Sequence, residues 1–343
     1  MNSENRFDFI RIIAAWLVIY GHCYALTGSK EIELISKYLK FDTAGGLAVG
    51  IFFSISGFLV FKSLENSASL KIFILKRLLR VYPALILSVF LSIYFYGLIC
   101  TNLSAQEYLS NELTFLYIQN ITGFNIRYEL PGVFENNHMK SVNGSLWSIT
   151  MELKFYLLLG LISILYFNIR IKLWIIFIIL SFLLILRPIE KASDLALEFF
   201  GLSYEYNKFA LMFTVGCLLS SYEKNVNFKY FKYIGLIAIM IALLIINFEI
   251  NKSTFLFYHY LLPIIIIWIG LYFSFLPSIP HKIGDISYGL YLYSFTIQQF
   301  LIYFEMSNNL LNFILLSTFL SIVVSLISWR FVEKPFLNLK TKL

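Results

Sequence analysis

Apolar residues run through this chain in blocks of about twenty, the length a helix needs to cross the hydrocarbon of a bilayer. Ten blocks stand out: 7–27, 43–62, 82–101, 145–167, 171–188, 206–221, 230–249, 254–275, 286–304 and 308–331. The sixth is the weakest, being short and containing Lys208. The pattern predicts an all-α, polytopic membrane protein of about ten transmembrane helices. No Pro-, Gly- or Ser-rich linker divides the blocks and no internal repeat relates them, so one domain is expected over 1–343. The widest polar gap, 102–144, contains "LPGVFENNHMKSVNGS" and is long enough to fold over a cavity.

Composition narrows the class further. The chain is 59% hydrophobic and 14% charged, with a mean hydropathy of +0.76, too little polar surface for a soluble protein. The first block carries charges, and no small-residue cleavage site follows it, so it is expected to remain as a span rather than a removed signal. Cys23, Cys100 and Cys217 show neither disulfide nor metal-ligand spacing and read as small buried hydrophobes. No metal site is expected.

The net charge of +7 changes the picture only through its distribution. With a cytoplasmic N-terminus, 17 of the 27 Lys and Arg fall on the inner side and eight on the outer. That bias predicts cytoplasmic N- and C-termini and accounts for the basic excess without nucleic acid. Keeping the sixth block places the basic 224–232 segment inside. Asn102, Asn120, Asn143 and Asn251 lie in Asn-x-Ser/Thr triplets, which are frequent by chance and carry no weight here.

Several blocks carry polar residues that hydrocarbon would penalise. "RFDFIRIIAAWLVIYGHCYAL" holds Arg11 and His22 on one helical face, separated by about 16 Å of rise. Such residues face the protein interior or a wet cavity by default, which suggests the lining of a passage; the alternative is that Arg11 snorkels and His22 bonds a neighbouring helix. "SLWSITMELKFYLL" places Glu152 about two turns into the fourth block, at a depth similar to His22, where carboxylate and imidazole could act as orienter and base. "KRLLRVYP" puts Arg77 and Arg80 three apart, so one helical turn presents both forks on a face suited to phosphate or to lipid head groups. "GIFFSISGFLV" contains Ser56 and Gly57, small enough for close helix packing or for a slender ligand.

In this order, these segments resemble the acyltransferase-3 family of integral membrane acyltransferases, which modify cell-surface polysaccharides. "DFIRIIAAWLVIYGH" is similar to the family's Arg, ten residues, His signature, carrying Arg11 and His22. "FFSISGF" resembles its Phe-Phe-x-x-Ser-Gly-Phe segment, and "RLLRVYP" its Arg-x-x-Arg element, carrying Arg77 and Arg80. "SLWSITMELKFY" carries Trp147 and Glu152, "ISYGLYLYS" carries Tyr291, and "FVEKPF" resembles the closing Glu-x-Pro element. Each alone is a weak signal; their order along nearly the whole chain is specific. Many members carry histidine where this chain has Ser294, so no role passes to that position.

The resemblance implies an O-acyltransferase of the plasma membrane, with acetyl-CoA or another acyl-CoA as co-substrate and no tightly bound cofactor. The implied partners are a carbohydrate acceptor, such as O-antigen, capsule or exopolysaccharide, and the lipid bilayer. Arg11, Arg77, Arg80, Ser56 and Gly57 would hold the donor. His22 would act as general base with Glu152 as its orienter, and direct transfer and an acyl-histidine intermediate both fit. Trp147 and Tyr291 are expected to serve the acceptor site or the structure. The rival class is a multi-pass transporter of a glycan or small molecule, for which repeats and broken helices in matching halves would be the sign.

Overall fold

The computed structural model describes residues 4–186, 204–224, 230–247, 252–273, 275–277 and 284–340. The charge assignments at Arg187, Lys191, Lys229, Lys282 and Lys342, and the triplet at Asn251, lie outside them. Among the described residues the regular structure is helical, with one isolated β-bridge between Thr101 and Val133.

Every one of the ten apolar blocks falls on a helix. These are α1 (Glu4–Thr27), α3 (Ala44–Glu65), α4 (Leu70–Phe90), α7 (Leu146–Ser163), α8 (Ile169–Leu186), α9 (Tyr204–Tyr222), α10 (Phe231–Asn247), α11 (Lys252–Tyr272), α12 (Ser287–Tyr303) and α13 (Leu310–Ser328). Short helices fill the connections: α2 (Leu34–Leu39), α5 (Ala105–Ser110), α6 (Glu112–Leu116) and α14 (Lys334–Lys340). Five described helical segments are long and apolar enough to cross a membrane: Arg6–Thr27, Ala44–Glu65, Leu70–Cys100, Leu146–Ser163 and Leu310–Leu339. The chain is a membrane protein, helical throughout the regular structure of its described residues.

Local chemistry sets the helix starts. Thr43 Oγ1 accepts the Gly46 N–H at 2.9 Å, and the Glu33 carboxylate accepts the Ala44 N–H at 2.8 Å, opening α3. Ser69 Oγ accepts the Ile72 N–H to open α4, and Asn309 Oδ1 accepts the Asn312 N–H to open α13. These side chains satisfy N–H groups that have no partner within the helix.

The third block is longer than its hydropathy suggests. The helix begins at Leu70 rather than near 82, so Arg77 and Arg80 lie on it instead of before it. Hydropathy ends the block where charge appears, but both charges turn inward and find partners. Beyond Phe90 the helix loosens into a π-helical turn, Leu91–Gly97, before Cys100. The Tyr108 hydroxyl donates to the Ile93 carbonyl there at 3.0 Å, a side-chain intrusion of the kind that opens a helical ladder.

Two glycines set the tightest crossing. A Cβ on Gly57 would collide with the Phe213 carbonyl, and one on Gly216 with the Ser54 carbonyl. The α3 and α9 backbones therefore meet directly, as small residues allow, and the Cys217 thiol donates to the Gly57 carbonyl at 3.3 Å. Gly57 thus faces α9. The expectation that it borders a donor is corrected: no ligand fits where two backbones already touch.

The largest departure lies before α7. The segment 137–145 does not stay above the bundle but runs down the side of α12. Gln299 Nε2 donates to the Met139 and Ser141 carbonyls at 2.6 and 2.7 Å. The Thr296 hydroxyl donates to the Val142 carbonyl at 3.0 Å, Asn143 Nδ2 to the Leu292 carbonyl at 2.9 Å, and the Tyr291 hydroxyl to the Ser145 carbonyl at 3.1 Å. Irregular backbone can lie at this depth because side chains take up its polar groups. As a result α7 starts well inside the bundle.

Candidate functional site

Helix register gives the depth of each candidate residue. Gly21 of α1 faces Ala44 and Gly45 of α3, and the Phe7 and Phe58 rings meet at 5.5 Å, so the two helices run antiparallel. Arg11 pairs with Asp285 at the start of α12, and the His22 ring meets Phe295 edge-on at 5.1 Å. Arg11 and His22 both face α12, the first at its start and the second at its middle.

A cavity of about 740 Å³ opens at the arginine end, within the range typical of small-molecule sites. Its wall includes Arg11, Arg77 and Arg80 together with Ser56, Glu152, Tyr156, Asp285 and Tyr291. Arg77 and Arg80 share a helical face, as their spacing predicts. Arg77 Nη2 donates to Ser63 Oγ at 3.1 Å, and its guanidinium lies 5.8 Å from the centre of the Tyr156 ring. Its Nε is buried without an acceptor. Arg80 Nη2 meets Asp285 Oδ2 at 2.5 Å and its Nη1 lies 3.6 Å from Glu333 Oε2. Burial pushes the Asp285 carboxyl upward, but Arg80 and Arg11 outweigh it and hold the group below the usual carboxylate range.

Glu152 belongs to this cavity. The Tyr156 hydroxyl donates to Glu152 Oε1, and Ser56 Oγ reaches the same oxygen at 3.5 Å. Glu152 is one turn along α7 from Ser148, which pairs with Tyr291, and His22 meets Phe295 one turn further along α12, so about two turns, roughly 11 Å, separate their levels. The expected His22–Glu152 pair is therefore corrected. Glu152 is about two turns into its helix, as counted, but the helix itself begins deep because 137–145 carries it down.

His22 is not part of the cavity wall. Its Nδ1 is buried without a partner. The cavity closes toward it at Val49, Phe52 and Tyr291, where the Phe52 and Tyr291 rings meet edge-on at 5.6 Å. The Tyr291 hydroxyl also pairs with Ser148 Oγ at 2.6 Å. Trp147 is turned away, its ring 5.8 Å from Phe209 of α9. Ser294 is buried, with its hydroxyl 3.5 Å from the Tyr291 carbonyl.

Sequence reading missed Asp285, Tyr156 and Gln298. Asp285 directly precedes the "ISYG" element and Tyr156 lies one turn after Glu152, so both were close to segments already singled out. Gln298 gives no local signal; its Nε2 donates to the Ile19 carbonyl at 2.8 Å, one turn before Cys23 on α1.

Comparison with known proteins adds the chemistry. A family profile for the acyltransferase domain of the acyltransferase-3 type matches residues 4–330. The chain is 29% identical to an O-acetyl transferase of Shigella phage Sf6, over 98% of this chain and 97% of that protein. It is 25% identical to nodulation protein 10 of Rhizobium leguminosarum bv. viciae, over 99% and 95%. No solved structure matches.

Proposed function

Since this chain belongs to the acyltransferase-3 family, we propose that it is an O-acetyltransferase moving an acetyl group from cytoplasmic acetyl-CoA to a hydroxyl of a cell-surface polysaccharide. In this reading all ten apolar helices span the plasma membrane, both termini are cytoplasmic, and 1–343 form one domain. The arginine end of the bundle then faces the cytoplasm and the His22 end faces outward.

The observation that carries the donor side is the cavity, with Arg77 Nε and Arg11 Nε both buried and without acceptors in its wall region. Guanidinium forks suit phosphate oxygens. The nucleotide phosphates bind there, and the pantetheine arm climbs past Ser56 and Glu152 toward Phe52 and Tyr291. Glu152, held through one oxygen by two hydroxyls, lines that path rather than orienting His22. The thioester arrives beyond the Phe52–Tyr291 contact, which must part to admit it.

His22 then takes the proton of the acceptor hydroxyl as its oxygen attacks the thioester carbonyl. The C–S bond breaks, CoA leaves as the thiolate, and the imidazolium returns the proton to it. A buried imidazole whose Nδ1 has no partner is suited to this, because that ring nitrogen is not committed to a structural bond.

The test is transfer of radiolabelled acetyl to surface glycan by cells carrying His22→Ala at normal expression. Loss of transfer with CoA binding kept is expected; full transfer would remove His22 from the chemistry.

A further inference from the structure

The arginine end is crowded with charge before any ligand arrives. Five cations line the cavity, Arg11, Lys62, Lys76, Arg77 and Arg80, together with the carboxylates Asp8, Glu152 and Asp285. They are not evenly engaged. One oxygen of Asp285 accepts from Arg11 Nη1 at 3.1 Å and from Arg80 Nη2 at 2.5 Å. Its other oxygen accepts the Ser287 N–H at 3.2 Å and the Ser287 hydroxyl. Lys62 is drawn to Glu223 at 2.9 Å. Arg77, by contrast, has a hydroxyl as its hydrogen-bond partner.

A single carboxylate oxygen between two guanidinium groups is a poor fill for that space. Each fork offers five N–H donors, and Arg11 Nε stays buried without an acceptor beside the pair. A phosphate group presents several oxygens and more charge, matching two forks better than one carboxylate oxygen does. Asp285 would not be stranded on release, because the two Ser287 donors remain with its second oxygen. The Asp285 side chain is 11% exposed and lines the cavity, where an entering ligand would meet it.

We propose that Asp285 is a resident anion at the Arg11–Arg80 fork, occupying the place of a ligand phosphate and yielding it only to a polyphosphate. It thereby sets how much negative charge a ligand must carry to enter. The identity of the ligand rests on the donor reading above; the displacement at the fork does not.

The experiment uses the purified full chain in detergent and measures binding of inorganic pyrophosphate and of CoA by calorimetry, in the parent protein and in D285N. Removing the competing carboxylate is expected to tighten pyrophosphate binding about tenfold, one decade in the dissociation constant. Unchanged or weaker pyrophosphate binding, or none in either protein, overturns the proposal and leaves Asp285 a structural counter-ion. Removing one partner of a buried ion pair can unfold a protein, so Ser287→Ala is the second variant. It keeps both arginine contacts but removes the hydroxyl that holds Asp285 once displaced, so a severalfold loss of pyrophosphate affinity is expected; a gain counts against the proposal. The CoA arm separates the two readings. Parent protein that binds pyrophosphate but not CoA would refute the donor assignment and leave the fork intact. CoA binding to the parent, with no gain in D285N for either probe, would do the reverse.

Discussion

The two ends of α1 and α12 offer a comparison within one pair of helices. At the arginine end they border an open cavity whose ionic groups are extensively paired. At the His22 end the same helices are packed together, the imidazole against the Phe295 ring and the Gln298 amide against the Ile19 carbonyl and the Cys23 sulfur. Yet this packed end holds unmatched polar atoms: His22 Nδ1, Gln298 Oε1 and, near Gly21, Glu33 Oε2. Buried polar atoms normally find partners, so each unmatched one asks for an explanation. One end leaves open space beside its charged groups. The other keeps unmatched polar atoms packed among apolar and aromatic side chains.

Substitutions can break or sharpen this contrast. The largest effect is expected from His22→Ala: acetyl transfer should fall by about 10²–10⁴-fold, the scale of general acid–base catalysis, with CoA binding unchanged. Equal loss of both would mean the ends are not separate. Next comes Arg77→Ala, for which calorimetry should show CoA affinity about ten- to a hundredfold weaker, as charge-assisted hydrogen bonds of about 1.5–3 kcal/mol are lost. Arg77→Lys should recover only part, because a point charge does not replace the fork.

A smaller effect is expected from Glu152→Gln. If Glu152 lines the donor path, the amide oxygen still accepts from Ser56 and Tyr156. Transfer should then fall less than about tenfold, well below the scale of lost acid–base catalysis, and its pH profile should not move. A loss on the His22 scale would return Glu152 to proton chemistry. The mildest change is Asn143→Ala, which removes donors to the Leu292 carbonyl and Ser88 Oγ. Orphaning such a buried group costs about 1–3 kcal/mol, so thermal stability should drop while donor affinity stays.

The positions of particular residues show how far local pattern carries. Arg77 and Arg80 reach the same cavity wall because three residues nearly complete a helical turn, and that much is legible from their spacing. Gly57 and Ser56 are neighbours in the same element, but only Ser56 faces the cavity. Which side of α3 meets α9 depends on Gly216, far along the chain. Glu152 is the clearest case. Its count from the start of its helix is right, and its depth in the bundle is not, because that start lies below a descending loop.

Hydropathy by itself determined that a helix forms at each apolar block, though not where the third begins, since a long apolar stretch in lipid must satisfy its backbone internally whatever surrounds it. The order of short motifs likewise determined the family. Only the tertiary structure decided that Asp285, 274 residues from Arg11, closes the arginine fork, that α12 draws 137–145 down beside it, and that His22 stands apart from the cavity. Those outcomes follow from ion pairs and side-chain hydrogen bonds between distant segments, and no periodicity along a single segment encodes its partner.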